Sequence, residues 1–169
     1  MTRFVSRLLI TGLLVLGASL PAAAQLAGKS KALEISAENM SAASPRHEAM
    51  AKQGGKAESV LPGDTVRYRL RFTNVATSAV HGIVLDNPIP KGLHYQPGSA
   101  RADRADVAVL FSIDGGSTYS ASPTIDVDVD GKREQRPAPA DMYTHVRWTV
   151  RGEVPKGAQI HAEYDVQAK

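Results

Sequence analysis

From Asp64 onward, apolar side chains recur at every second residue, and this alternation constrains the fold more than any other feature of the sequence. In the segment LPGDTVRYRLRFTN, residues 61–74, the charged and apolar side chains fall on opposite sides of an extended chain. Such a period of two is typical of a strand with one buried face. The residues predicted to point inward are Val66, Tyr68, Leu70 and Phe72.

The same alternation recurs in later segments, separated by turns rich in Gly, Pro, Asn and Asp. A β-rich segment over Val80–Asp86 is predicted to end at Pro88 and Pro90, because proline cannot donate a ladder hydrogen bond. Asp114-Gly115-Gly116 is predicted to form a tight hairpin turn. The other inward positions are Val107, Val109, Phe111 and Ile113; Ile125, Val127 and Val129; Val146, Trp148 and Val150; and Ile160, Ala162, Tyr164 and Val166.

These segments amount to about seven strands, with no long helical period after residue 60. The pattern therefore predicts an all-β protein with an antiparallel β-sandwich, and a small β-barrel is the alternative. We expect Trp148 to lie in the core, because it shares parity with Val146 and Val150.

The N-terminus has the layout of a secretory signal peptide. Arg3 and Arg7 precede an apolar run from Leu8 to about Leu20, and the small residues before Gln25 predict cleavage after Ala24. The run is too short for a membrane helix, which needs roughly 20 apolar residues. We expect a secreted protein, periplasmic or extracellular, without a transmembrane segment after cleavage.

Charge and cysteine content narrow the function classes. Removal of Arg3 and Arg7 lowers the number of Lys and Arg from 20 to 18, against 17 Asp and Glu, so general affinity for nucleic acid is not implied. The sequence contains no cysteine, so an exported chain must fold without disulfides.

Residues 25–60 are expected to link the leader to the sandwich domain, residues 61–169. Leu33 and Ile35 predict an opening edge strand, and Ser44, Pro45 and Gly54 predict the ends of a short helix over Arg46–Gln53. An irregular connection is the alternative.

Four phrases together resemble a known family over residues 61–166: VLPGDTVRYRLRFTN, DNPIPKGLHYQPGSA, FSIDGGSTY and YTHVRWTV. They resemble the bacterial conserved-repeat family catalogued as domain of unknown function eleven. The resemblance implies an immunoglobulin-like β-sandwich, an exported and envelope-associated module, and no established catalytic residues.

An arginine strip is the first candidate binding feature. Arg67, Arg69 and Arg71 point the same way on a regular strand, and Arg147 has outward parity on a later strand. They indicate either an anion-binding face, for lipopolysaccharide or an acidic glycan, or a solvated face. The solvated face is favoured, because His161, Glu163 and Asp165 could pair with the arginines across the sheet. Nucleic acid is disfavoured, because the neighbouring aromatic residues have the buried parity.

The segment DVDVDG, residues 126–131, is a second candidate. Asp126, Asp128 and Asp130 match the start of an EF-hand calcium loop, but the twelfth position, which requires a glutamate, is Pro137. Strand carboxylates that end in an Asp-Gly turn explain the same residues without a metal ion.

No arrangement in the sequence indicates catalysis or a cofactor. It has no GxSxG elbow, no SxxK and no phosphate-binding glycine loop. The sequence therefore favours a non-enzymatic envelope module that binds another envelope protein or a surface polymer, and it leaves the oligomeric state open. An anionic-glycan binder and a calcium-stabilised adhesion module are the alternatives.

Overall fold

The computed structural model describes residues 32–54 and 59–169. The predicted leader, residues 25–31 and residues 55–58 lie outside the described residues. The strands are β1 Leu33–Asn39, β2 Thr65–Thr73, β3 Val84–Pro88, β4 Leu93–Tyr95, β5 Arg101–Ala102, β6 Val107–Ser112, β7 Thr124–Val129, β8 Lys132–Pro137, β9 His145–Val150 and β10 Gln159–Ala168. A helix, α1, spans Pro45–Lys52, and a 3-10 turn spans Ala140–Met142.

Two antiparallel sheets form the body of the protein. The first has the order β1-β2-β10-β4, with β5 also paired to β10, and the second has the order β3-β9-β6. Among the described strands both sheets are open at their edges, so the prediction of an antiparallel sandwich is confirmed and the small-barrel alternative is wrong.

The core lies between the inner faces of these sheets. Trp148 on β9 and Tyr164 on β10 have no exposed surface, and their rings lie 5.8 Å apart between centroids. Tyr68 stacks on Tyr164 at 5.3 Å from the side of β2. The predicted inward residues of β2, β9 and β10 contribute to this core, and Val107, Val109 and Phe111 of β6 pack against it. The period of two therefore identified the inner faces correctly.

The sequence placed β7 in the sandwich, and this prediction is wrong. β7 pairs only with β8 among the described strands, as a separate two-stranded hairpin. Every residue of β8 is exposed, because its sequence KREQRP offers no apolar face to bury. The alternation in β7 therefore gives a half-exposed ribbon and not a core strand.

Two further predicted boundaries differ from the structure. The strand predicted over Val80–Asp86 begins at Val84 and extends to Pro88, and Val80 makes only an isolated bridge to Val154. The return after β6 is a wide loop closed by a Phe111–Ser120 bridge, and not a tight turn at Asp114. Within this loop, the Asp114 carboxylate accepts hydrogen bonds from the backbone N–H groups of Ser117 and Thr118, which orders the chain there.

β1 joins the same sheet as the segment that follows residue 61. Its residues pair with β2 from Leu33↔Phe72 to Asn39↔Val66. α1 packs beside the start of β2 through His47, which is completely buried. In the part of the chain that the structure describes, no helix combines the length and apolar character needed to span a bilayer.

Replacing Trp148 with alanine is expected to lower the free energy of unfolding by about 3–5 kcal/mol, because it leaves a cavity between the two sheets. The matched control is Val75→Ala, since Val75 is 66% exposed and its truncation should change stability by less than about 0.5 kcal/mol. Chemical denaturation of both variants measures the difference. Equal stability of the two variants would contradict a core built around Trp148.

Candidate interaction surface

The arginine strip lies on the outer face of the first sheet, where each of its arginines is paired with a carboxylate. Arg67 donates from Nε and a terminal nitrogen to both oxygens of Asp165, at 2.7 and 2.9 Å. Arg69 pairs with Glu163 at 3.3 Å and also with Glu38 of β1. Arg71 pairs with Glu34 of β1. The predicted pairing with Glu163 and Asp165 is confirmed, but His161 pairs with Asp103 and not with an arginine. β1 supplies two acids that were not predicted as partners of the strip.

These pairs have consequences for ionisation. The two hydrogen bonds from Arg67 lower the pKa of the Asp165 carboxyl below its ordinary value, against the opposing effect of burial. The same contact raises the pKa of Arg67. The pair is therefore fully charged at neutral pH, and neither partner is available to a ligand without breaking it.

Between two cross-strand rows of side chains lies a shallow trough of about 550 Å³. The register places Glu34, Arg71 and His161 in one row and Ser36, Arg69 and Glu163 in the next. Asp103 extends the first row by a 2.8 Å contact with His161, and Arg101 extends the second by its pair with Glu163. Both walls carry both signs of charge, so the trough is not a cationic site.

Arg147 does not join the strip. It lies on β9 of the second sheet, and the outer faces of the two sheets point in opposite directions. Its guanidinium donates to Asp86 at 2.7 Å and lies 3.5 Å from the ring centroid of Tyr119. The structure therefore does not assemble the four predicted arginines into one anion-binding face.

The acids of DVDVDG lie along the β7–β8 hairpin. Asp126 and Asp128 alternate with valine along the strand, and Asp130-Gly131 forms the turn with positive φ values of 55° and 77°. The Asp128 carboxylate accepts the Gly131 N–H at 2.8 Å, so it stabilises the turn. Within residues 32–54 and 59–169, no three His, Asp or Glu side chains converge in a way that could hold a metal ion.

The long edge of the first sheet is β1, and the direction of its backbone groups follows from two hydrogen bonds. Thr73 N–H donates to the Ala32 carbonyl at 2.7 Å, and Met40 N–H donates to the Thr65 carbonyl at 2.8 Å. Both lie on the β1–β2 register, so even-numbered residues of β1 exchange hydrogen bonds with β2. Because bonded and non-bonded pairs alternate in an antiparallel ladder, the odd-numbered residues direct their N–H and C=O groups away from β2.

We define the β1 edge as these outward groups of Leu33, Ile35 and Ala37. Among the described residues, none of their backbone groups has a hydrogen-bond partner on the outward side. Ile35 is 50% exposed although its side chain has inner-face parity. Strands at natural sheet edges usually carry proline, charged side chains or a bulge that prevents pairing with another chain. β1 has no proline and no bulge, and its two acids, Glu34 and Glu38, are paired with arginines of β2.

The other edge strands of the two sheets are shorter than β1 or are partly obstructed. β3 ends in Pro88, which has no N–H group. The end of β6 is covered by the bridge between Phe111 and Ser120. β4 and β5 are short pieces that pair with parts of β10. Among the described strands of the two sheets, β1 therefore offers the longest run of unpaired backbone.

A buried carboxylate fixes the end of β1. Asp64, with no exposed surface, accepts hydrogen bonds from Leu61 N–H at 2.8 Å, Asn39 Nδ2 at 2.9 Å and His47 Nε2 at 2.7 Å, and it pairs with Arg46. The cluster thus joins β1, α1 and the turn before β2. Burial acts to raise the pKa of Asp64, but the donors outweigh it and hold the pKa far below its ordinary value.

The sequence alone indicates a turn at Asp64 and no role for His47. An aspartate after Pro-Gly is ordinary turn chemistry. Only contacts between segments distant in sequence show that it is the acceptor for β1, α1 and the turn before β2. The sequence also could not show which residues of β1 direct their N–H and C=O groups outward, because this depends on the register of β1 with β2.

Asp64→Asn is expected to destabilise the fold by about 1–3 kcal/mol at pH 7, because one amide nitrogen then faces donors in a buried site. The folded-state pKa lies below the unfolded value, so the stabilisation is present above about pH 4 and is lost as the pH falls towards the folded pKa. Thermal melts from pH 7 to pH 2 should therefore show a weaker acid dependence in the variant than in the parent. Parallel melting curves for the two proteins would exclude this linkage.

The paired arginines predict weak retention on heparin. Changing Arg67, Arg69 and Arg71 together to glutamine should leave the salt concentration for elution no lower than that of a control triple variant of β8. The control changes Lys132, Arg133 and Arg136 to glutamine and removes the same formal charge. A selective loss of retention in the first variant alone would show that the strip binds anions despite its carboxylate partners.

Comparisons with solved structures give distant neighbours, among them two structures of a pilus protein. No family model matches the chain, and no curated protein matches it. The structure of the pilus backbone RrgB from Streptococcus pneumoniae is similar at a TM-score of 0.34 and 13% identity, over 81% of this chain and 45% of that one. The full-length RrgB pilus protein gives a TM-score of 0.31 and 14% identity, over 80% and 20%. The chain thus spans less than half the length of either neighbour.

Proposed function

We propose that the protein is a non-enzymatic module of the cell envelope that binds an extended segment of another polypeptide along the β1 edge. The observation that carries this proposal is the run of outward backbone groups at Leu33, Ile35 and Ala37, which have no partner among the described residues. Addition of a strand would supply the missing hydrogen bonds, and the side chains of the strand would give specificity.

The chemistry of the edge favours a polypeptide over a surface polymer. Alternating N–H donors and C=O acceptors at strand spacing match another peptide backbone, and a polysaccharide does not repeat that pattern. The ionic groups that would attract an acidic glycan are paired within the first sheet. For these reasons we favour a protein partner over lipopolysaccharide.

The described residues support a non-enzymatic role. The most buried titratable pair, His47 and Asp64, has no exposed surface that a substrate could reach. The outer-face acids of β1 and β10 are paired with arginines. The sequence predicts localisation in the periplasm or outside the cell, and it predicts membership of the conserved-repeat family. Both remain predictions.

The proposal can be tested by placing a photo-crosslinking phenylalanine analogue at Ile35 in cells that export the protein. We expect an adduct with a polypeptide, identified by mass spectrometry. The matched control carries the analogue at Val75, which is 66% exposed but lies outside the strands. It should give no such adduct.

A second variant tests whether strand addition is the mode of binding. Ala37→Pro removes an outward N–H group and leaves the hydrogen bonds between β1 and β2 in place. It should abolish the adduct formed from residue 35 while the melting temperature stays close to that of the parent. An adduct that survives Ala37→Pro, or that also forms from residue 75, would overturn the proposal.

A further inference from the structure

We infer that the strand that fits the β1 edge is β1 of a second copy of this chain, paired antiparallel with Ile35 on the two-fold axis. The inference rests on the proposed function, since it names the partner of the same edge. It follows from three constraints that the structure places on any strand that docks there.

The first constraint is the hydrogen-bond phase. Only odd-numbered residues of β1 direct backbone groups outward, so in a symmetric pair odd residues must lie opposite odd residues. Every allowed register therefore places a residue, and not the midpoint between two residues, on the two-fold axis. In the middle of β1, the axis can pass through residue 34, 35, 36 or 37.

The second constraint is charge on the outer face. An axis at residue 36 puts Glu34 directly opposite Glu38 of the second copy, and an axis at residue 34 puts Glu34 opposite Glu34. Like charges directly across an antiparallel pair are destabilising. With the axis at Ile35, Glu34 lies opposite Ser36 of the second copy, and Glu38 lies opposite Ala32. This register brings no two acids face to face.

The third constraint is use of the edge. An axis at residue 37 would need Asn39 opposite Ile35, but the Asn39 carbonyl already accepts the Ala42 N–H and its side chain donates to Asp64. With the axis at Ile35, the outward groups of Leu33, Ile35 and Ala37 meet those of Ala37, Ile35 and Leu33. Three bonded pairs give about six backbone hydrogen bonds, at two bonds per pair.

The side chains agree with this register. On the inner face, Ile35 meets Ile35 of the second copy, and each covers apolar surface that is now 50% exposed. Leu33 lies opposite Ala37, so a large residue meets a small one. On the outer face, Glu34 and Glu38 are already neutralised by Arg71 and Arg69 of their own chain. The same strand is therefore complementary to itself on both faces.

The pairing would join two first sheets into one continuous sheet. An interface of five residues on each side falls below the roughly 1,200 Å² of standard protein complexes, so the dimer should depend on protein concentration. Sedimentation velocity of the full chain should show dimer growing with concentration, and Ala37→Pro should keep the protein monomeric over the same range.

Engineered cysteines test the register directly, because the sequence contains no cysteine of its own. Residues on the axis of a bonded pair lie about 5.5 Å apart between Cα atoms, which is within the range of a disulfide. Under mild oxidation, Ile35→Cys should form a covalent dimer about tenfold faster than Val75→Cys, since pairing raises the effective thiol concentration. Non-reducing electrophoresis measures both rates.

Ser36→Cys is the matched control for register, since it lies opposite Glu34 and not opposite itself. It should crosslink at the rate of Val75→Cys, whereas the double variant Glu34→Cys, Ser36→Cys should crosslink rapidly. Faster linkage by Ser36→Cys than by Ile35→Cys would overturn the proposed register. Linkage of Ile35→Cys at the rate of Val75→Cys would overturn self-pairing.

Self-pairing and strand addition can fail separately. If Ile35→Cys shows no enhanced linkage while the photo-crosslinker at residue 35 captures a different polypeptide, the second copy is the wrong partner and the proposed function stands. If residue 35 captures nothing and forms no dimer, both proposals are wrong.

Discussion

The packing of Trp148 against Tyr164 is the contact on which the rest of the structure depends. The two side chains lie on different sheets and have no exposed surface, so their contact holds the sheets together without any disulfide. The Tyr164 hydroxyl also accepts a hydrogen bond from Asn87 Nδ2 at 2.6 Å, which ties β10 to β3 within the core. Once these inner faces are fixed, the intervening residues on β2 and β10 must face solvent. The arginine strip is a geometric consequence of that core.

An outer face with several arginines needs compensating charge, and the neighbouring strands supply it. β10 contributes Glu163 and Asp165 from one side, and β1 contributes Glu34 and Glu38 from the other. Exposed pairs of this kind contribute only about 0–1 kcal/mol each, so their main effect is on the potential of the surface and not on stability. On this face the positive charges of the arginines are offset by the paired acids. A strip that looks cationic in the sequence is therefore not a strong anion-binding site.

The sequence could predict those parts of the fold in which buried apolar residues occupy every second position of a strand. β9 and β10 have a fully buried face and β2 has one that is buried or partly buried, and the inward residues of all three were predicted correctly. β7 has the same alternation, but its position depends on β8, whose residues Lys132–Pro137 lack any apolar face and so hold the hairpin outside the core. Asp64 and the phase of β1 could not be predicted, because each depends on contacts between segments that are distant in sequence.

The arginine strip and the β1 edge are physically connected. Two acids on an edge strand would normally repel another strand that carries acids, and such charges are one means by which natural sheets avoid edge pairing. Here Arg69 and Arg71 on the adjacent strand pair with Glu38 and Glu34, so that the acids no longer act as a barrier. At the same time the Asp64 cluster holds Asn39 and keeps the end of β1 in register. On our proposal, the arginines therefore affect binding indirectly: they make an acidic edge acceptable to a second strand.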